Sequence, residues 1–400
     1  MKYNFDEIID RSGTWTWAID GLDPTGEEAP KPPKDGFSII PMWVADMSYR
    51  TYPGIPEAVI KRAQHPLFGY FMNSDDYYNG IIWWQKNRNG VDIQRKDIMV
   101  DNGILGGVTS AVSALVGQGG SVLMHAPTYI GFTEVLENNG YNIVLSELKK
   151  DENGTFRMDF DDMEAKIKAN QIHCCVFCSP HNPTGRVWEK WELEKMFELF
   201  EKYNVYVVSD EIWSDLILFG NKHIPTQSAG EWAKNHTVAL YAIGKTYSCA
   251  GFINSYRIIY DKWLKDKVNR QASLSHYNDL NIMSHAAYEA ALTPGGAEWV
   301  DEVCAYLSKN VETFYNYMIG KGIEISKPEG TYMMYAEFGP YIEKHGITLD
   351  DIKDRLWDHG VLGQNGEPFH TPGTIRFNLA IPAPMLQDAM DRMDKYVFID

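Results

Sequence analysis

Thr237-Val-Ala-Leu-Tyr-Ala-Ile-Gly-Lys245-Thr-Tyr247 is the stretch that decides how this chain is read. Its apolar run predicts a buried strand that delivers a lone lysine to a sheet's edge. Upstream, in order, come Gly103 in a glycine-rich turn, Tyr129 after Ala-Pro-Thr, Asn182 in Ser-Pro-His-Asn-Pro-Thr-Gly-Arg, and Asp210 in Val-Val-Ser-Asp-Glu-Ile. Arg376 follows in Gly-Thr-Ile-Arg-Phe-Asn. A desolvated lysine is nucleophilic near neutral pH, and an arginine can clamp a carboxylate through two parallel bonds.

Working outward, residues 95 to 260 alternate strand and helix patterns, which predicts an α/β fold with a mostly parallel sheet covered by helices. Strands are expected at Ile98 to Val100, Ser121 to His125, Tyr141 to Ser146, Ile172 to Cys178, Val205 to Ser209, Val238 to Ala242 and Ser255 to Ile259. Helices are expected at Gly106 to Gly117, Ile130 to Asn138, Asp159 to Lys168 and Lys190 to Tyr203. Ligands of such sheets sit beyond the carboxyl ends of the strands, and the singled-out residues up to Lys245 all follow strand candidates. After Trp263 long helices take over, then Gly330 to Phe338 and Thr374 to Leu379 read as strands of a second, smaller α+β unit. The segment up to about Tyr49 is expected to pack against that unit. The division is therefore 51–285 for a large domain, with 1–50 and 286–400 forming a small one.

Composition sets the outer bounds. A 44% hydrophobic fraction with 13% aromatic residues fills a large core over 400 residues, while a net charge of −17 disfavours phosphate backbones and anionic membranes. Neither nucleic acid nor membrane is an expected partner. No run approaches the ~20 apolar residues of a bilayer span, and the charged start lacks a signal-peptide core, so a cytoplasmic location is expected. Cys175-x-x-Cys178 imitates a metal spacing, but no second pair completes it and the run reads as a buried strand, so no metal site is expected.

These residues resemble, in order and spacing, the fold-type I enzymes that use pyridoxal 5'-phosphate (PLP), the aminotransferase class I/II group. Within it the chain is most similar to the MalY/PatB-like cystathionine β-lyases, or C-S lyases. The likeness runs through Lys2-Tyr-Asn-Phe-Asp-Glu-Ile-Ile-Asp-Arg-Ser-Gly-Thr14, Pro41-Met-Trp-Val-Ala-Asp-Met47, Leu67-Phe-Gly-Tyr70, Pro180-His-Asn-Pro-Thr-Gly-Arg-Val-Trp188 and Pro328-Glu-Gly-Thr-Tyr332.

The resemblance implies roles. Lys245 is the lysine that bonds the cofactor and then takes the substrate's α-proton, Asp210 faces the pyridine nitrogen, and Asn182 meets the ring hydroxyl oxygen. Tyr129, counted with Lys245 and Asp210 as catalytic, stacks on the ring with Ile212 against its other face. The backbone of Gly103, Ile104 and Leu105 cradles the phosphate at a helix start, Tyr70 reaches it from a second subunit of a homodimer, and Arg376 with Asn182 binds the substrate carboxylate. Departures from the pattern are Gly244 for a serine, Ile253 for a basic residue, Trp213 for histidine or tyrosine, Ser48 for an acid and His370 for a glycine. Arg257 is a candidate replacement cation. The implied reaction is β-elimination from L-cystathionine, L-cysteine or a cysteine S-conjugate to thiol, pyruvate and ammonia. An aminotransferase using a 2-oxo acid is the alternative, and a catalytically weak PLP-binding regulatory protein is a third.

Overall fold

The computed structural model describes residues 1–27, 29–275 and 278–398. Strands are numbered in chain order. Seven of them form one sheet: β2 (Ile98–Asp101), β3 (Ser121–Ala126), β4 (Asn142–Glu147), β7 (Cys174–Cys178), β8 (Tyr206–Asp210), β9 (Thr237–Tyr241) and β10 (Ser255–Ile258). Their order is β2-β10-β9-β8-β7-β3-β4, parallel throughout except for β10, which runs antiparallel to both β2 and β9. Every residue of β7 and β9 is buried. That is why these strands appear in the sequence as unbroken apolar runs rather than alternating ones.

The expected strand and helix positions hold to within a few residues, with one correction at the decisive place. Strand β9 ends at Tyr241, and Lys245 lies in a four-residue helix, Ile243–Thr246, that follows it. The strand is also internal to the sheet, so the lysine is presented at the sheet's carboxyl rim and not at a lateral edge.

A second, five-stranded sheet joins β1 (Ile40–Met42), β11 (Glu324–Ile325), β12 (Met333–Glu337), β13 (Val361–Asn365) and β14 (Thr374–Asn378) in the order β1-β13-β14-β12-β11. A two-stranded hairpin, β5 (Lys149–Lys150) with β6 (Phe156–Arg157), completes the set. The helix Pro294–Gly320 begins with proline at its first position and a Thr293 hydroxyl accepting from Gly296 N, so its start is capped. The N-terminal segment packs against this helix and the small sheet: Phe5 lies edge-on to Tyr49 and Trp299, and Tyr49 Oη donates to Ile381 O at 2.8 Å.

Cys174, Cys175 and Cys178 are buried in β7, and burial pushes all three thiols up, Cys174 to about 12. They are packing residues. Among the described residues no helix is long and apolar enough to cross a membrane.

Candidate active site

The chain leaves β9 at Tyr241 and turns at once into the short helix, which directs Lys245 across the carboxyl rim of the sheet. Its Nζ donates to the carbonyl of Ala45 at 2.7 Å and stands 5.9 Å from the centre of the Trp213 ring. Burial lowers its pKa to about 8; the charge of Asp46 opposes that shift, Arg376 adds to it and Asp210 opposes it. A useful fraction of the amine is therefore neutral near physiological pH.

Asp210 is the last residue of β8, the neighbouring strand. It is buried, and burial raises its carboxyl to about 7, partly offset by the Ile212 N–H, which donates to Oδ1 at 3.0 Å, and by Lys245. A carboxylate this costly to bury gains when a cation is placed beside it. Asn182 lies in the turn after β7, where the backbone N–H of Gly185 donates to His181 O and that of His181 to Arg186 O, closing the loop around it.

Arg376 reaches the same place from the small sheet, on β14, paired with Tyr335 of β12 and Gln364 of β13. It is buried. One terminal nitrogen donates to Asn182 Oδ1 at 3.1 Å, the other to Trp43 O at 3.0 Å, and Nε has no partner among the described residues. The Phe369 ring lies 4.4 Å beneath the guanidinium. No ion pair to Arg376 occurs among the described residues, and burial lowers its pKa to about 10. A buried guanidinium with neutral partners and an orphaned N–H is a site prepared for an anion.

Tyr129 caps the helix Ile130–Asn138. Burial raises its phenol, with Arg376 pulling it back and Asp210 pushing it further, so its ring belongs to the same cluster. A side chain on Gly131 would collide with the Tyr129 ring at 2.6 Å and meet Leu105 Cδ1 at 3.1 Å, so glycine keeps Tyr129 and Leu105 together. Gly103 turns from β2 into the helix Gly103–Leu115 with φ +77°, a conformation that glycine adopts without strain. The Ile104 side chain is buried in the core, and its backbone N–H lies in the first turn of the helix, where it has no intrahelical acceptor.

The structure does not bring every expected residue into this cluster. Tyr70 is fully exposed within a single chain. Ile253 Cγ2 lies 3.5 Å from where a Gly103 Cβ would be, placing an apolar group over the helix start. Arg257 is not a free replacement cation: it is buried on β10, ion-paired with Asp101, and donates to Asn269 Oδ1 at 2.7 Å. His370 meets Thr133 Oγ1 at 3.1 Å through Nε2.

Residues that the sequence did not single out complete the site. Tyr332 Oη donates to Ala45 O at 2.9 Å, sharing the acceptor used by Lys245, and its ring is edge-on to Trp213 at 4.8 Å. Asn378 Nδ2 donates to Val44 O at 2.7 Å and to Asp46 O at 2.5 Å. Residues 43–46 thus form a strap whose carbonyls engage β14 and the lysine-bearing helix that follows β9.

The donor set fits PLP at the ring. A lysine with lowered pKa, a buried carboxylate, an amide and an aromatic face converge, and Gly103 to Leu105 offer helix-start N–H groups for the phosphate.

Comparison with known proteins fixes the family. The model of aminotransferase class I and II matches residues 45–393. The chain belongs to that family. Cystathionine beta-lyase PatB of Bacillus subtilis is 31% identical over 98% of both chains. The PLP-bound C-S lyase of Staphylococcus hominis superposes with a TM-score of 0.88 at 27% identity, covering 100% of this chain and 98% of that one. An aspartate aminotransferase of a Bacillus species is 23% identical over 90% of this chain and 92% of its own.

Proposed function

We propose that this protein is a PLP-dependent C-S lyase that cleaves the Cβ–S bond of L-cystathionine, L-cysteine or a related cysteine thioether. The net reaction takes the amino acid and one water to a thiol, pyruvate and ammonia. Bound PLP supplies an electron sink for the Cα carbanion; this chain's residues do the rest. Arg376, with Asn182, binds the α-carboxylate and fixes which Cα bond faces Lys245. Lys245 takes the Cα proton, and loss of the thiolate from Cβ follows. Asp210 holds the proton on the ring nitrogen: at ~4 Å in an effective dielectric of ~20 the attraction is ~4 kcal/mol.

The observation that carries the reading is Arg376 among aromatic walls. Among the described residues its guanidinium has only neutral partners and so is ready to clamp the α-carboxylate, with Trp213, Tyr332 and Tyr129 around it. Elimination needs only that clamp and room for a thiol. The full-length likeness to PatB and to the S. hominis enzyme supports the same choice. The test is L-cystathionine or L-cysteine without any oxo acid. Pyruvate released over many turnovers supports the lyase; a single turnover that resumes only with 2-oxoglutarate would make the protein an aminotransferase.

The working form in this reading is a homodimer with shared sites. Support comes from the exposed run Leu67, Phe68, Tyr70 and Met72, an apolar strip that a second copy would cover. Mixing Tyr70→Phe with Lys245→Ala subunits should restore part of the activity that each lacks. The domain division at 51–285 rests on the two sheets, whose strands fall on either side of those bounds. A cytoplasmic location is supported by five free cysteines.

A further inference from the structure

The ion pair Arg11–Asp46 lies beside the reacting lysine and has no part in the chemistry described above. Asp46 follows Ala45, whose carbonyl holds both Lys245 Nζ and Tyr332 Oη. Arg11 reaches it with two nitrogens, at 2.6 Å to Oδ2 and 3.3 Å to Oδ1, a side-by-side pairing. The remaining partners of that guanidinium are hydroxyls, Thr16 Oγ1 at 2.7 Å and Ser48 Oγ at 3.3 Å. Both charges are felt at the site: Asp46 acts on Lys245 and on Tyr332, and Arg11 acts on Tyr332.

Unlike Arg376, this pair is open to water on one side, the two side chains being 18% and 25% exposed. A thioether whose α-carboxylate is held by Arg376 must extend its other arm away from that buried clamp. The part-buried pair offers a cation and an anion side by side, the mirror of a free amino-acid group, which carries an ammonium and a carboxylate on one carbon. The hydroxyl partners are neutral acceptors, so a carboxylate taking their place adds a charge attraction to the guanidinium that they lack.

We propose that Arg11 and Asp46 form the subsite for the far end of the substrate, selecting cysteine thioethers whose sulfur carries a second zwitterionic amino-acid group. Arg11 takes the distal carboxylate and Asp46 the distal ammonium. This deepens the lyase reading and rests on it for turnover, although binding alone can be measured without it.

The experiment compares L-cystathionine with S-ethyl-L-cysteine, which has the same scissile bond and no distal group, on PLP-loaded wild type, Arg11→Gln and Arg11→Lys. Binding is read from the change in visible absorption, and turnover from pyruvate. For Arg11→Gln the ratio of cystathionine to S-ethyl-cysteine affinity, and of their kcat/KM values, should fall about tenfold or more, because a charged partner is lost for one ligand only. Arg11→Lys should recover part of that ratio. An unchanged ratio, with both ligands weakened equally or neither affected, would show that the pair only fastens the N-terminal segment and would overturn the proposal. Absence of a wild-type preference for cystathionine over S-ethyl-cysteine in binding would overturn it as well. Selective binding without pyruvate from either compound would remove the lyase reading and leave the subsite standing.

Discussion

Replacing Arg376 with methionine should weaken substrate sharply and cost part of the fold's stability. Methionine keeps an apolar stem against Phe369 and removes the guanidinium. Burial lowers the pKa of this group to about 10, with Tyr129 and Tyr332 opposing the shift. A shift of that size corresponds to about 3 kcal/mol of strain on the charged form at neutral pH, relieved when the charge is deleted. Against this, Asn182 Oδ1 and Trp43 O lose charged donors, at about 1.5 to 3 kcal/mol each, and the desolvated cation over Phe369 is worth about 2 kcal/mol. The relieved strain offsets only part of this loss, so the variant should be less stable than the wild type. Binding follows a different sum: loss of a charged, hydrogen-bonded partner should cost about 1.5 to 3 kcal/mol, or roughly ten- to 150-fold in kcat/KM. The assay is urea unfolding of the PLP-loaded protein at fixed protein and cofactor concentration, beside steady-state kinetics. A variant that loses stability while keeping its affinity for the amino acid would refute the reasoning and make Arg376 a structural residue.

Cofactor uptake by the apo-protein needs the neutral amine of Lys245, whose pKa burial lowers to about 8, so its rate should rise with pH and level off just above that value; a rise that continues past pH 10 would count against the lowered pKa. Asp210→Asn keeps an acceptor for the Ile212 N–H but cannot hold a ring proton, and should reduce kcat about a thousandfold, as ~4 kcal/mol of support is lost. Ile253→Lys sets a cation beside the start of the helix Gly103–Leu115 and should tighten PLP binding up to about fivefold in a direct titration, the ~1 kcal/mol of an exposed ion pair with the phosphate.

The parts of the fold that were legible in the sequence are those governed by local pattern. Strands β7, β8 and β9 are buried on both faces, and their apolar runs give them away. The strands of the second sheet were harder. β1 is three residues long and contains Pro41, and β13 runs from apolar Val361 into Gly363-Gln-Asn, so neither has a periodic signature. Lys245, Asp210, Asn182 and Arg376 were legible because each sits in a distinctive segment, and the structure brings them together. What stayed hidden depends on contacts between distant segments. The Ala45 carbonyl has no residue-type signal, and its pairing with Lys245 spans 200 residues. Arg257 illustrates the same limit: its engagement by Asp101 depends on β10 pairing with β2, which composition and spacing do not report.

The most direct test of the account is to locate the lysine that PLP occupies. Holoenzyme is treated with borohydride, which makes the cofactor-lysine bond permanent, then digested and read by mass spectrometry. The account predicts a single pyridoxyl-phosphate label on Lys245 and its loss in Lys245→Ala. A label at full occupancy on any other lysine, or an undiminished label in Lys245→Ala, would contradict it.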